Sequence, residues 1–203
     1  MFISEGAFMQ HLLPKVERIL EISRELNALK FGEFQLSSGA KSHYYFDGRL
    51  LTLHPDGAKA VAEVVLAITL ESGANFIAGP TIGADPIVSA VSLLSQIDGE
   101  RKIPGGIIRK EIKAHGMTRM IEGPVPPNAK VIVVDDTCTS GGSLFHAIKV
   151  LEAENCEIVK VVSILDRREG GHEKFRNSSY SYIALLEADG YLIRPSTVFQ
   201  TKG

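Results

Sequence analysis

Apolar positions along this chain switch repeatedly between helical spacing and short unbroken runs, and the switches lay out the elements. Residues 15–29 read as a helix with Ile19, Ile22, Leu26 and Leu29 on one side. A hairpin is expected next: Phe34 and Leu36 alternate with polar neighbours, Ser38-Gly39 supplies a turn, and His43 to Asp47 returns as a strand. Residues 55–71 place Val61, Val64, Val65 and Ile68 on one helical face. Phe76 to Ala78 predicts a short strand, and Asp85-Pro86 predicts a helix start, with Asp as N-cap, Pro at the first helical position, and Ile87, Ala90, Val91 and Leu94 facing inward. Another strand ends near Ile107-Ile108-Arg109, followed by a polar stretch from Lys110 to Asn128 with little periodicity. Val131 to Val134 is a buried strand, and Leu144, Ala147, Ile148 and Leu151 mark the next helix. Ile158 to Leu165 and Tyr182 to Leu186 add two more strands; the tail after Asp189 is ambiguous. Strands alternating with helices predict an α/β fold, a mainly parallel central sheet covered on both faces. The N-terminal helix and hairpin would form a small hood over the sheet's C-terminal edge.

Composition narrows the class. At 203 residues the chain is expected to be one domain, 1–203, with an N-terminal helix and hood over about 1–50 and an α/β core over about 55–190. Lys and Arg number 22 against 24 Asp and Glu, so no global charge argues for a nucleic-acid partner. No apolar run has membrane-spanning length, and no secretory leader is visible at the N-terminus. The two cysteines, Cys138 and Cys156, read as free thiols in a reducing, cytoplasmic setting.

The chemistry concentrates in Val131 to Leu144, which reads V-I-V-V-D-D-T-C-T-S-G-G-S-L. Two carboxylates, Asp135 and Asp136, end a buried strand; small hydroxylated residues and two glycines then lead into a helix. Ligands of open α/β sheets bind at the carboxyl ends of strands, and a Thr/Ser/Gly turn entering a helix aims backbone N–H groups at an anion such as phosphate. The carboxylates repel a phosphate but suit ribose hydroxyls beside it, or a magnesium ion bridging to them. A strand whose acidic end only caps the next helix is the plainer alternative.

This run resembles the ribose-phosphate signature of the type I phosphoribosyltransferases. The resemblance implies that fold, with Asp135 and Asp136 on the ribose hydroxyls and Thr137, Cys138, Thr139, Ser140, Gly141, Gly142 and Ser143 around the 5′-phosphate. Ile108 to Gly116 contains R-K-x-x-K-x-H-G and is similar to the mobile catalytic loop of orotate phosphoribosyltransferases. It implies a lid over residues 110–128, shared across a homodimer, with Arg109, Lys110, Lys113 and His115 on the diphosphate leaving group. Lys113, His115 and Asp136 are then the catalytic candidates. Phe31 to Asp47 is similar to that family's hood: Tyr45 and Phe46 would flank the base, and Ser38 and Lys41 would stand near base or phosphates, while Tyr44 fits ordinary hairpin core equally well. Gly79 to Asp85, with Thr81, corresponds to the family's diphosphate loop, although a tight turn explains it equally well. Leu165-Asp166-Arg167-Arg168-Glu169-Gly170-Gly171 resembles L-D-R-x-E-x-G, whose arginine meets the orotate carboxylate; this assigns Arg167, since a planar guanidinium binds carboxylate bidentately. Arg168 is left to a surface ion pair.

The activity implied is magnesium-dependent transfer of ribose 5-phosphate from phosphoribosyl diphosphate to orotate, giving orotidine 5′-phosphate and diphosphate. Magnesium would be held mainly through the substrate, with Asp135 the protein group nearest it. Some family members carry Lys where this chain has Ser37, and Tyr-Lys where it has Ile82-Gly83. Fewer cations would therefore meet the phosphates unless Lys41 and the lid compensate; the change also fits a subgroup with a different loop, or a paralogue with another substrate. Two alternatives are a purine-type phosphoribosyltransferase and a non-enzymatic sensor of phosphoribosyl diphosphate. Thr139, where several purine enzymes have an acid, speaks against the first, and the retained Lys113 and His115 against the second. The sequence leaves open whether the decarboxylase that follows in the pathway associates with this chain.

Overall fold

The computed structural model describes residues 4–35, 41–98, 101–111 and 119–200. The predicted turn at Ser38-Gly39, and with it Leu36 and Ser37, lies outside them, as do Lys113, His115 and Gly116.

Helix α1 spans Glu5–Glu25, ten residues earlier at its start than the periodicity predicts. Pro14 hid the first half, because proline removes a backbone donor and ordinarily marks a boundary. The helix continues through it because Met9, Leu12, Val16 and Ile19 form one buried stripe. The Ser4 side chain accepts from the Ala7 amide, and Glu5 accepts a 2.7 Å bond from the buried Lys160 Nζ, tying the helix start to the sheet. Strands β1 (Leu29–Gln35) and β2 (Lys41–Phe46) form the antiparallel hairpin. Asp47, expected to end β2, instead caps a short unpredicted helix, α2 (Gly48–Thr52), by accepting from the Arg49 amide at 3.0 Å. Helix α3 (Pro55–Glu71) has the predicted bounds: Pro55 fits its first turn and His54 Nδ1 accepts from the Asp56 amide.

Strands β3 (Phe76–Pro80), β4 (Gly105–Ile108), β5 (Ile121–Glu122), β6 (Lys130–Cys138), β7 (Glu157–Asp166), β8 (Tyr182–Asp189) and β9 (Leu192–Pro195) form one sheet in the order β5-β4-β3-β6-β7-β8-β9. The five inner strands are parallel; β5 and β9 are antiparallel edges. Thus the stretch 110–128 rejoins the sheet, with the Arg109 amide donating to the Met120 carbonyl at 2.9 Å. The tail after Asp189 pairs back on β8 and ends in a 3-10 turn, Thr197–Phe199, with Phe199 buried.

Side chains alternate between two cores. Ile132 and Val134 join the core beneath α1, α3 and α4 (Asp85–Asp98), while Val131 and Val133 join the one beneath α5 (Gly142–Ala153) and α6 (Gly171–Arg176). Each fully buried Ile or Leu stabilises by about 1.5–3 kcal/mol. Of the two parts expected in the hood, the hairpin reaches the C-terminal ends of the strands, whereas α1 packs mainly along α3, β9 and the final turn. No described helix is long and apolar enough to cross a membrane.

Candidate active site

Sheet order reverses between β3 and β6: the chain runs outward from β3 to β4, then returns to the other side of β3 as β6. Loops leaving the two strands therefore diverge and open a crevice at their carboxyl ends. The hydrogen-bonded pairing of β3 with β6 stops at Val133, but β6 continues alongside β7 to Cys138. The strand is nine residues rather than four, because β7 supports its whole length. Asp135 and Asp136 consequently stand within β6, where it outruns the β3 ladder.

Two adjoining cavities meet there. One, of about 160 Å³, is lined by Asp135, Thr137 and residues 139–144. The other, of about 290 Å³, is lined by both aspartates and by Tyr45, Phe46, Thr81, Gly83, Arg49 and Lys110, among others. Asp135, Thr137 and Ser143 border both.

The smaller cavity is made by the turn into α5. Gly141 has φ +76°, a left-handed conformation open to glycine, and Gly142 begins the helix. The first amides of α5 have no intrahelical acceptor and its dipole favours an anion. The loop is braced from behind. The Arg167 amide donates to the Cys138 carbonyl at 2.9 Å, the Gly171 amide to the Thr139 carbonyl at 2.8 Å, and Lys174 Nζ to the Ser140 carbonyl at 2.9 Å. A Cβ on Gly171 would come within 2.5 Å of Cys138 Sγ, so this approach needs a glycine.

The larger cavity is dominated by the acidic pair. Asp135 is 7% exposed, and its Oδ1 accepts from the Asp136 amide at 2.9 Å. Burial, reinforced by the neighbouring Asp136 charge, pushes its pKa up to about 8. Burial also raises Asp136, opposed chiefly by the positive charge of Arg49. A buried carboxyl pair whose joint ionisation is disfavoured suits a ligand that supplies hydroxyl donors or a cation. Glycines crowd the pair: a Cβ on Gly48 would lie 2.6 Å from Asp136 Cβ, and one on Gly83 would lie 2.6 Å from Asp135 Oδ1 and from Asp136 Oδ1. Thr81 Oγ1 donates to Asp85 Oδ2 at 2.9 Å; Asp85 is thus the first residue of α4, its side chain turned back to the loop rather than capping from outside.

Most of the predicted site residues gather here: Asp135, Asp136, Thr137, Ser143, Tyr45, Phe46, Thr81 and Lys110 around the larger cavity, and Thr139, Ser140, Gly141 and Gly142 around the smaller. Cys138 departs from the prediction. Its side chain is 1% exposed in the core beneath α5 and burial pushes the thiol up to about 11, so within the phosphate segment it offers a ligand no side chain. Both cysteines are free. Lys41 is exposed on β2 and Arg109 is paired with Glu122 at 2.7 Å; neither lines the two cavities. Arg167 also lies outside their lining. Its guanidinium carbon is 5.3 Å from the centre of the buried Tyr44 ring, and its buried Nε has no hydrogen-bond partner among the described residues. Tyr44 is therefore core that carries the arginine. Arg168 pairs with the buried Glu187, so its partner lies in the interior rather than on the surface.

Sequence reasoning missed Arg49, Lys174 and His146, whose Nε2 is 2.9 Å from the Arg109 carbonyl, just before the 110–128 stretch. Only Asp47-Gly48-Arg49, an Asp cap after a strand, left a readable trace. Among the described residues no group of three or more His, Cys, Asp or Glu side chains could hold a metal. The two aspartates fit an ion whose remaining ligands come from a bound substrate.

Residues 55–183 match the model of the phosphoribosyl transferase domain family. An orotate phosphoribosyltransferase of Nostoc sp. is 43% identical over 170 residues, covering 83% of this chain and 81% of the relative. One of Rhodopirellula baltica is 45% identical over 177 residues, covering 84% and 91%. The crystal structure of Mycobacterium tuberculosis H37Rv orotate phosphoribosyltransferase in complex with 5-phospho-α-D-ribosyl 1-diphosphate superposes with a TM-score of 0.70 at 28% identity, covering 86% of this chain and 96% of that one.

Proposed function

The chain belongs to the phosphoribosyl transferase family, among the orotate phosphoribosyltransferases, and from that premise we propose how its residues divide the reaction. It transfers ribose 5-phosphate from phosphoribosyl diphosphate to orotate in pyrimidine nucleotide synthesis. The observation that carries the reading is the shared wall: Asp135, Thr137 and Ser143 border both cavities, so a ribose held by the acidic pair carries its 5′-phosphate into the α5 turn.

The 5′-phosphate takes backbone amides of the turn from Thr139 to Ser143, and the two aspartates accept from the ribose 2′ and 3′ hydroxyls. A ring nitrogen of orotate attacks the anomeric carbon as the carbon–oxygen bond to diphosphate breaks. The sugar passes through an oxocarbenium-like state, so the fixed carboxylates lie near developing positive charge while the cations neutralise the leaving group. Positioning supplies much of the rate. Tyr45 and Phe46 flank the base, and Arg167, whose buried Nε makes no hydrogen bond among the described residues and lies 3.9 Å from Glu169 Oε1, takes the orotate carboxylate. Asp135 and Asp136 would hold magnesium together with a bound substrate, and the ion would supply positive charge to offset that of the departing diphosphate. Lys113 and His115 close over the leaving group together with Lys110 and exclude water.

The enzyme acts as a cytoplasmic homodimer with lids exchanged between subunits. An exposed apolar groove along α3 and α4, with Leu93 and Ile97 64% and 69% exposed, supports a second copy as occupant. Mixing Lys113→Ala with Asp136→Ala protein tests the exchange: activity recovers in part if lids cross subunits and stays absent if they do not.

An assay of diphosphate release with phosphoribosyl diphosphate and Mg²⁺ across orotate, uracil, hypoxanthine and adenine tests the function. Turnover of orotate alone is expected. Turnover of a purine but not orotate would assign a purine enzyme, and tight binding of the sugar donor without turnover would assign a sensor.

A further inference from the structure

The larger cavity must hold a multiply charged diphosphate beside three carboxylates, since Asp47, Asp135 and Asp136 all line it. Among the described residues, the cations lining it are Arg49 and Lys110. Their mountings differ. Lys110 follows β4 at the root of the lid segment, whereas Arg49 is the second residue of α2. The first residue, Gly48, packs so closely on Asp136 that no Cβ fits. Arg49 Nε lies 3.4 Å from Asp47 Oδ1, and the guanidinium has no other hydrogen-bond partner among the described residues. Its side chain is 50% exposed. One edge of the fork is oriented and the terminal nitrogens remain available, an arrangement suited to phosphate oxygens.

The loop after β3 lines the cavity with Thr81, Ile82 and Gly83, none of them a cation. Gly83 lies against both aspartates, and any side chain there would push into their oxygens. Lys41 does not reach the cavity. We propose that Arg49 binds the diphosphate of the sugar donor from the α2 wall, standing in for the cation that the β3–α4 loop lacks. This rests on the phosphoribosyl-transfer reading above and names a substrate-binding residue for it.

The test combines initial rates with titration of inorganic diphosphate into the full-length protein in the presence of Mg²⁺, for wild type, Arg49→Ala and Arg49→Lys. Removing a hydrogen-bonding charge of this kind should raise the KM for phosphoribosyl diphosphate and weaken diphosphate binding by about ten- to a hundredfold, with the orotate KM changed less than about twofold. Arg49→Lys should recover part of the loss, and the melting temperature should barely move because the side chain is half exposed. Wild-type diphosphate affinity in Arg49→Ala would overturn the proposal. So would equal losses for both substrates without recovery by lysine, which would make Arg49 a structural partner of Asp47. If Arg49→Ala fails to fold, the neutral Arg49→Gln is judged by the same criteria. A wild-type protein inactive on orotate would refute the function, while the diphosphate titration would still decide the role of Arg49.

Discussion

At one end of the site, the proposed phosphate cradle, Thr139 to Ser143, is built from backbone and small side chains contributed by a single strand, turn and helix. At the other, Thr81 and Gly83 follow β3, Lys110 follows β4, and Arg49 stands on α2, so a cation-lined space is assembled from three separated segments. The first end depends mainly on backbone conformation within one run of sequence, braced from behind by the segment after β7. The second depends on side-chain charge and on glycines that let the segments converge on Asp135 and Asp136. Loss of the acidic pair should therefore abolish chemistry but spare the cradle.

That separation gives the largest expected effect. Asp136→Ala should lower kcat/KM by about 10²–10³-fold, as for removal of a group facing developing charge, while inorganic phosphate binding measured by titration stays near wild type. Loss of phosphate binding in parallel would show the two ends to be one unit. Gly83→Lys comes next: its Cβ would meet both carboxylates, and about a ten- to hundredfold loss in kcat/KM for phosphoribosyl diphosphate is expected rather than a gain from added charge. Lys174→Ala, which frees the Ser140 carbonyl, should raise the KM for phosphoribosyl diphosphate by about three- to tenfold with kcat little changed, reflecting a looser cradle.

The difference between the ends also explains what the sequence could tell. The cradle was legible because Val131 to Leu144 carries its strand, its carboxylates and its glycine turn in one run. The bounds of α3 and the stripe of α5 were legible for the same reason. Pro14 concealed half of α1 because the burial that overrides it is tertiary. Cys138 was misplaced because the length of β6 is set by its pairing with β7, which turns that side chain into the core. Asp47-Gly48-Arg49 could be read as a helix cap but not as part of the site, because nothing local connects α2 to Asp136; the contact of Gly48 with Asp136 exists only once the chain is folded. Gly83 in place of a family lysine was visible as a departure, but its close approach to both carboxylates arises only in the folded chain.

The charge crowded at the second end has a smaller, pH-dependent signature. Asp135 has a folded-state pKa raised to about 8, so the folded chain holds this proton more tightly than the unfolded one. Its contribution is fully present below the unfolded carboxylate range and is lost as pH rises through about 8. Asp135→Asn should accordingly raise the melting temperature above about pH 8 and change it little near pH 5, while impairing activity at both. Sugar donor with Mg²⁺ should stabilise wild type more at the higher pH; an equal shift at both would remove Asp135 from the ligand site. The smallest effect concerns Cys138, whose thiol, raised to about 11, should resist alkylation near neutral pH in the native enzyme and react on unfolding.

The most direct measurement is a crystal structure of this chain with phosphoribosyl diphosphate bound. The expected density has the 5′-phosphate against the amides of residues 139–143, the ribose hydroxyls on Asp135 and Asp136, and the diphosphate toward Thr81, Lys110 and Arg49. A sugar donor seated elsewhere, with the α5 turn and the acidic pair untouched by it, would contradict the assignment.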